Sequence, residues 1–246
     1  MNVRVVKIGG AALADASWLT SFAQHAAASG GSLVIVHGGG PEISALSERL
    51  GIGVEWVNGK RITPPAALDA ASMVLNGRVN KRLVSALLSA GADALGLSGE
   101  DGGLVVAELA ARGAFGRVGK VATVRVELLE WLLGRGMLPV IAPISRGPDG
   151  APLNVNADEV AAAIAVALGA RELLFVTDVD GVRDEGGVKC DSLTPERAES
   201  LLATQVAQGG MAVKLRAGLD ALGQGVVCVR IGSVRALDDN TTGTRV

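Results

Sequence analysis

The sequence predicts an α/β protein built on a mainly parallel sheet. Strand-like and helix-like segments alternate along almost all of its 246 residues, as successive βαβ units would. Apolar residues make up 49% of the chain, whereas aromatic residues make up 2% and tyrosine is absent. Such a core must come from Ala, Val, Leu and Ile, which suits buried parallel strands covered by alanine-rich helices.

Each element is placed by its hydrophobic period and its flanking turn residues. Strands are expected at Val3–Ile8, Leu33–His37, Val54–Val57, around Ile62, Asp93–Leu97, Leu104–Leu109, Leu138–Ile141, Leu153–Val155, Leu173–Thr177 and Val226–Ile231. Helices are expected at Trp18–Ser29, Pro41–Leu50, Ala66–Ala90 with an interruption near Gly77, Val126–Arg135, Ala157–Leu168, Pro195–Gln205 and Met211–Leu222. Asn58-Gly59 predicts a hairpin turn. A soft boundary near Gly169 gives two lobes, 1–169 and 170–246, and a polar tail follows Ile231.

Composition and charge exclude several classes of protein. The formal net charge is -2 and no basic run occurs, so no nucleic-acid partner is expected. No signal-peptide pattern or membrane-length apolar stretch is visible, so we expect a cytoplasmic protein without membrane contact. Cys190 and Cys228 lie far apart without metal-ligand spacing and are expected to be idle thiols. No protein metal site is expected.

Two glycine clusters predict a phosphate site. Gly9-Gly10 and Gly38-Gly39-Gly40 each follow an apolar strand and precede a helix. Ligands of parallel sheets bind at the carboxyl ends of the strands, where glycine lets backbone N–H groups approach a phosphate. A single cluster is explained by a tight turn, but two clusters in successive units favour phosphate binding.

The common nucleotide-binding fingerprints are absent. Gly119-Lys120 approaches a P-loop sequence but has Ala114 in place of the first glycine and Val121 in place of Ser or Thr. Lys7 is more informative, because it ends an apolar strand next to Gly9-Gly10. It is either a cation facing the ligand crevice or a surface lysine at a strand end.

Polar residues flank the later elements. Asn156 and Glu159 fit a capping box, and Asp158 suits the first turn of a helix. Asn154, two residues before Asn156, should share its side of an extended segment. Lys214 lies near the beginning of a helix, where a cation is unfavourable without an anionic partner. His25 and His37 are interpreted as isolated residues of a surface helix and a strand end, and Asp178–Gly181 as a turn or a ribose contact.

In order and spacing, these segments resemble the amino-acid kinase family, and within it the kinases that act on N-acetyl-L-glutamate. The resemblance covers nearly the whole chain. It is carried by Val6–Gly10, Val34–Pro41, Asn58–Thr63, Val79–Lys81, Gly96–Gly99, Pro139–Pro143, Asn154–Asp158, Thr177–Val179, Gly209–Met211 with Lys214, and Gly243-Thr244.

The resemblance implies a three-layer α/β/α sandwich whose N-terminal lobe (1–169) binds the acyl amino acid and forms the dimer, and whose C-terminal lobe (170–246) binds ATP. Lys7 and Lys214 look like the lysines that neutralise the transferring phosphoryl group, with Asp158 orienting them. The substrate contacts implied are Gly39, Gly40, Arg61, Asn154 and Asn156. The ATP contacts implied are Gly9, Gly10, Asp178, Val179, Asp180, Gly181, Val182, Arg183, Val206, Ala207 and Gln208.

The implied reaction is ATP-dependent phosphorylation of the side-chain carboxylate of N-acetyl-L-glutamate, a step of arginine biosynthesis. A carboxylate is already ionised at neutral pH, so no catalytic histidine is needed. Transfer then depends on aligning two anions and cancelling their repulsion. Mg²⁺ would be held mainly by the ATP phosphates.

Two alternatives remain. Kinases of lysine biosynthesis that act on carrier-linked aminoadipate or glutamate share most of these motifs, but usually lack the Asn-x-Asn-Ala-Asp form. Lys60 also departs from the family, which usually has an uncharged residue there. A non-catalytic nucleotide-binding regulator would leave Lys7, Asp158 and Lys214 unexplained. Because the first strand begins at Val3, we expect a homodimer without the N-terminal helix of the family's arginine-inhibited hexamers.

Overall fold

A twisted sheet runs through the whole protein. The structure is a computed structural model that describes residues 2–29, 32–53, 55–57 and 60–246, with the backbone alone at residues 56, 57, 60 and 61. Within that part, ten strands lie in the order β12-β11-β10-β1-β2-β8-β6-β7-β9, with β5 beside β8. Pairing along the centre is parallel, while β11–β12, β6–β7 and β8–β9 are antiparallel.

The strands are β1 Val3–Ile8, β2 Ser32–His37, β3 Trp56–Val57, β4 Lys60–Arg61, β5 Ala94–Gly99, β6 Val105–Leu109, β7 Val118–Val124, β8 Leu138–Arg146, β9 Pro152–Val155, β10 Glu172–Val176, β11 Val229–Gly232 and β12 Thr244–Arg245. The helices are α1 Ala16–Ala28, α2 Gly40–Arg49, α3 Pro65–Ser72, α4 Asn80–Ser89, α5 Val126–Leu133, α6 Ala157–Ala167, α7 Pro195–Ala203 and α8 Gly209–Gly223.

Alternation along the strands builds a core on each face of the sheet. In β1, Val3 and Val5 pack toward α6 and α8, whereas Val6 and Ile8 pack toward α1, α3 and α4. The result is the expected α/β/α sandwich. Among the described residues, no helix is long and apolar enough to cross a membrane.

The sheet does not break at the expected lobe boundary. Beyond Gly169 the chain enters β10, which pairs directly with β1 along Arg4–Ile8. The two segments therefore share one sheet, and the assignment of separate tasks to 1–169 and 170–246 stays a prediction.

Some elements differ from expectation. Strand β7 was not expected, and the polar tail contains a short 3-10 helix at Val234–Leu237 and strand β12. The helical region from Pro65 to Ser89 is not broken near Gly77 but passes through a π-helix at Met73–Val79. The hairpin forms as β3 and β4, while its Asn58-Gly59 turn lies outside the described residues.

Candidate active site

A cavity of about 450 Å³ lies at the carboxyl ends of β1 and β2. Both glycine clusters border it, through Gly10 and through Gly38–Gly40, at the edge of the sheet where the sequence predicts a phosphate site. Phosphate binding itself stays a prediction. All lining residues precede position 169 except Gly210, at the beginning of α8. The cavity therefore belongs mainly to the N-terminal segment and is closed on one side by the C-terminal one.

Two lysines and one aspartate meet beside this cavity. Lys7 is only 6% exposed, and its Nζ donates a hydrogen bond to Asp158 Oδ2 at 3.0 Å. Lys214 approaches the other carboxylate oxygen, with Nζ 3.8 Å from Asp158 Oδ1. Side chains alternate between the two faces of β1, so Lys7 extends from the same face as Val5, toward α6 and α8. These helices carry Asp158 and Lys214. Of the two interpretations of Lys7, the crevice cation is therefore correct.

The cluster of Lys7, Lys214 and Asp158 carries more positive than negative charge and is largely shielded from water. Burial lowers the pKa of Lys214 and the charge of Lys7 lowers it further, while Asp158 and Asp178 oppose the shift. Asp158 Oδ1 is buried and has no hydrogen-bond partner among the described residues, only the longer ion pair with Lys214. One buried and one half-buried cation against a single carboxylate make this a site that favours an added anion.

Three helix N-termini also face the cavity. Helices α2, α6 and α8 begin at Gly40, Ala157 and Gly209, and Gly40, Ala157 and Gly210 line the cavity. The N-terminus of a helix carries unpaired N–H groups and a partial positive charge, which together bind anions. The unfavourable position of Lys214 in the first turns of α8 is balanced by Asp158 from the neighbouring helix.

The two glycine loops touch backbone to backbone. A Cβ atom added to Gly10 would lie 2.5 Å from both the nitrogen and the Cα atom of Gly39. A Cβ on Gly39 would in turn lie 2.8 Å from Leu75 Cδ2. Gly9 differs, because it does not line the cavity and a Cβ there would meet nothing within 4 Å. Of the glycine pair Gly9-Gly10, only Gly10 is required by the packing.

The two asparagines line the cavity together, as alternation predicted. Asn154 donates from Nδ2 to Thr63 Oγ1 at 3.3 Å. Asn156 caps helix α6, with its Oδ1 accepting the Asp158 N–H at 2.8 Å, so the predicted cap is confirmed. Arg61 belongs to β4 by its backbone, but its side chain lies outside the described residues, as does that of Lys60.

Of the expected nucleotide-binding residues, Gly10 lines this cavity, whereas Gly9 and those between Asp178 and Gln208 do not. Asp178, Val179 and Asp180 are exposed just beyond β10, and Arg183 pairs with Asp180 at 3.3 Å on the surface. The others divide into the buried Gly181, Val182 and Ala207, the half-buried Val206 and the exposed Gln208, which donates to Gln205 O. Only Asp178 is tied to the cluster, through its effect on the pKa of Lys214.

An apolar wall of the cavity was missed from the sequence. It comes from residues of five different segments, namely Ile43, Leu75, Val118, Pro143 and Val155. Gly119 lines the same cavity, although the Gly119-Lys120 pair is not part of a P-loop. A Cβ on Gly119 would lie 2.9 Å from Val155 Cγ2, which shows that the glycine permits close packing of β7 on β9. Apolar residues of this kind carry no motif.

The sequence is similar to that of known proteins over nearly its whole length. The model of the amino acid kinase family matches residues 2–233. The chain is 50% identical over 235 residues to an acetylglutamate kinase of Roseiflexus sp. (strain RS-1), covering 95% of this chain and 89% of that protein.

Solved structures share the fold. The smu.665 protein of Streptococcus mutans UA159 superposes with a TM-score of 0.83 at 30% identity, covering 94% of both chains. A Giardia carbamate kinase superposes with a TM-score of 0.74 at 16% identity, covering 99% of this chain and 98% of the other. At that identity the second likeness concerns the fold alone.

Proposed function

The chain belongs to the amino acid kinase family, and from this premise we propose that it phosphorylates the side-chain carboxylate of N-acetyl-L-glutamate with ATP. The product is N-acetyl-L-glutamyl 5-phosphate, an intermediate of arginine biosynthesis. The observation that carries the proposal is Asp158 holding Lys7 and Lys214 at one cavity that also bears both glycine loops.

The proposed chemistry is transfer between two anions. The substrate carboxylate is ionised at neutral pH and needs no general base. Its approach to the γ-phosphate is opposed by charge repulsion, which Lys7 and Lys214 reduce from opposite sides of Asp158. Because ion pairs with Asp158 hold both lysines in place, little reorganisation is needed as charge develops on the transferring group.

The acyl amino acid is proposed to occupy the 450 Å³ cavity, a volume within the range of about 300–1,000 Å³ common for small-molecule sites. Asn154, Asn156, Gly39 and Gly40 would contact it there. ATP, carried as its Mg²⁺ complex, would lie over the C-terminal segment from Asp178 to Gln208 and point its phosphates at the N-terminus of α8. Lys214, on α8, joins the two regions.

A hydroxamate assay tests the function. Folded protein with Mg-ATP and N-acetyl-L-glutamate should form an acyl phosphate that hydroxylamine traps. Free glutamate, which keeps a charged ammonium in place of the acetamide, should react far more slowly, and N-acetyl-2-aminoadipate tests side-chain length. Absence of hydroxamate with every N-acyl acidic amino acid would exclude the activity, whereas a preference for aminoadipate would reassign the substrate.

We also propose that the protein is a homodimer built on its N-terminal lobe. Met73 and Leu88 lie on the Pro65–Ser89 helical region and are 64% and 52% exposed, and Leu95 on β5 is 38% exposed. A second copy would cover these exposed apolar side chains. Light scattering that gives a monomer or a hexamer would contradict the proposal.

A further inference from the structure

A buried histidine lies directly behind the second glycine loop. His37 ends β2 and is fully buried, with Nδ1 3.0 Å from the carbonyl oxygen of Gly38. Its Nε2 lies 3.1 Å from Nδ2 of Asn80, the first residue of α4, which is also fully buried. Alternation along β2 places this pair on the face of the sheet opposite to Lys7, since Val36 packs toward α6 and α8 and Ile35 toward α4.

The hydrogen bonds define one form of the imidazole. The amide nitrogen of Asn80 can only donate. It donates also to Val140 O at 2.9 Å, and its contact with Leu97 O at 3.4 Å is the longest of the three. His37 Nε2 must therefore accept, so the proton lies on Nδ1 and is donated to Gly38 O. Burial lowers the pKa of His37 to about 4, the bond to Gly38 opposes the shift, and the charges of Arg82 and Lys81 add to it. The ring is neutral at pH 7.

This bond orients a peptide of the candidate active site. In a trans peptide, the C=O and the following N–H point in opposite directions. Holding Gly38 O against His37 therefore turns the Gly39 N–H away from the α4 face. Gly39 lines the cavity, a Cβ on Gly10 would lie 2.5 Å from the Gly39 nitrogen, and the Gly39 N–H makes no hydrogen bond among the described residues.

We propose that His37 and Asn80 are positioning residues of the phosphoryl-transfer site, which fix the Gly38–Gly39 peptide so that the Gly39 N–H meets an anionic oxygen of the reacting groups. The inference rests on the proposed function. Simple core filling does not account for the pair, because two apolar side chains would fill the space without desolvating polar groups. The surroundings are also adapted to it, since a Cβ on Gly96 would lie 2.1 Å from Asn80 Oδ1.

Two amide substitutions at position 37 separate positioning from structure. In His37→Asn, the side-chain amide nitrogen lies near the place of Nδ1 and can still donate to Gly38 O. In His37→Gln, the amide lies near the place of Nε2 and keeps the contact with Asn80 but loses that donor. Positioning predicts kcat within about threefold of wild type for His37→Asn and at least 10-fold lower for His37→Gln, toward the roughly 10²–10³-fold cost of a lost oxyanion donor. The KM of each substrate should change less than kcat.

A purely structural role for His37 predicts the opposite ranking of the two variants. If His37 serves only to satisfy Asn80, His37→Gln should be the better tolerated variant in both thermal stability and kcat, and this result would overturn the proposal. Nitrogen-15 NMR of wild-type imidazole groups provides a test without substitution, since an Nε2–H tautomer or a charged ring at His37 would also overturn it. The activity of the wild-type protein in the same assay separates a failure of the proposed function from a failure of the positioning role. An inactive wild type overturns the function and this inference together, whereas active enzyme with equal kcat for both variants overturns the inference alone.

Discussion

At the scale of single residues, Lys214 connects burial to a measurable pH dependence. Burial and the charge of Lys7 lower its pKa below the usual lysine value, and the ammonium form is the one that stabilises a phosphoryl group. Raising the pH through this lowered pKa removes the charge, so kcat/KM for ATP should fall on the alkaline side before an ordinary lysine would titrate. Lys214→Arg should lower kcat/KM but remove this alkaline limb, because a guanidinium stays charged. An unchanged limb in Lys214→Arg would assign the titration to another group.

The prediction that Arg61 binds the substrate carboxylate rests on the sequence alone. A guanidinium forms a planar fork that matches a carboxylate. The resemblance to the family implies that this arginine binds the substrate. Arg61→Lys keeps the charge and loses the fork, so binding of the acyl amino acid should weaken by about 1.5–3 kcal/mol, seen in its KM rather than in that of ATP. Lys60→Ala is the matched control and should leave both values near wild type. Equal KM values for Arg61→Lys and wild type would place Arg61 outside the site.

At the scale of elements, the contact between the loops after β1 and β2 gives a paired test. A Cβ at Gly10 would overlap the Gly39 backbone, whereas a Cβ at Gly9 would meet nothing within 4 Å. Gly10→Ala must therefore push the loops apart and misplace the N–H groups of Gly10 and Gly39. We expect kcat to fall at least 10-fold, in line with the loss of oriented oxyanion donors. Gly9→Ala should keep kcat within about threefold. Equal activity of the two variants would show that the loop contact is not needed.

The sequence predicted the elements whose features are local. The order of strands and glycines predicted a crevice at the carboxyl ends of the strands. The same order correctly placed Lys7 at this cavity. The partnership of His37 with Asn80 was missed because it spans 43 positions and depends on the packing of α4 on the sheet. Strand β7 was missed because Gly119 and Lys120 weaken its apolar alternation, and its pairing with β6 and β9 supplies the order instead.

At the scale of the molecule, a buried ion triad ties the end of the chain to the sheet. Glu172 on β10 accepts from Arg230 of β11, and from Arg4 Nε of β1 at 2.7 Å. Arg4 and Arg230 both donate to backbone carbonyl groups of the segment from Ala236 to Thr242. The triad lies at the amino-terminal ends of these strands, away from the cavity, so its loss should affect folding more than chemistry.

Acid unfolding measures this triad. Burial alone would raise the pKa of Glu172, but the hydrogen bonds and charges of Arg230 and Arg4 outweigh it and hold the pKa below the usual value of 4.5. The unfolded chain therefore takes up the proton first, so the stabilisation is complete above about pH 4.5 and is lost as the pH falls through the lowered pKa.

Glu172→Gln leaves the buried Arg230 and the partly buried Arg4 without a counter-charge. The free energy of unfolding at pH 7, measured by urea denaturation, should fall by about 3–5 kcal/mol. The acid dependence of the remaining stability should also become shallower. The control is Glu185→Gln, which removes the exposed partner of Arg197 and should change stability little, because exposed pairs are screened by water and salt. If Glu172→Gln unfolds at the same urea concentration as wild type at pH 7, the free energy that holds the C-terminal segment on the sheet must come from the packing of Ala236 and Leu237 against α1 and β10 rather than from the triad.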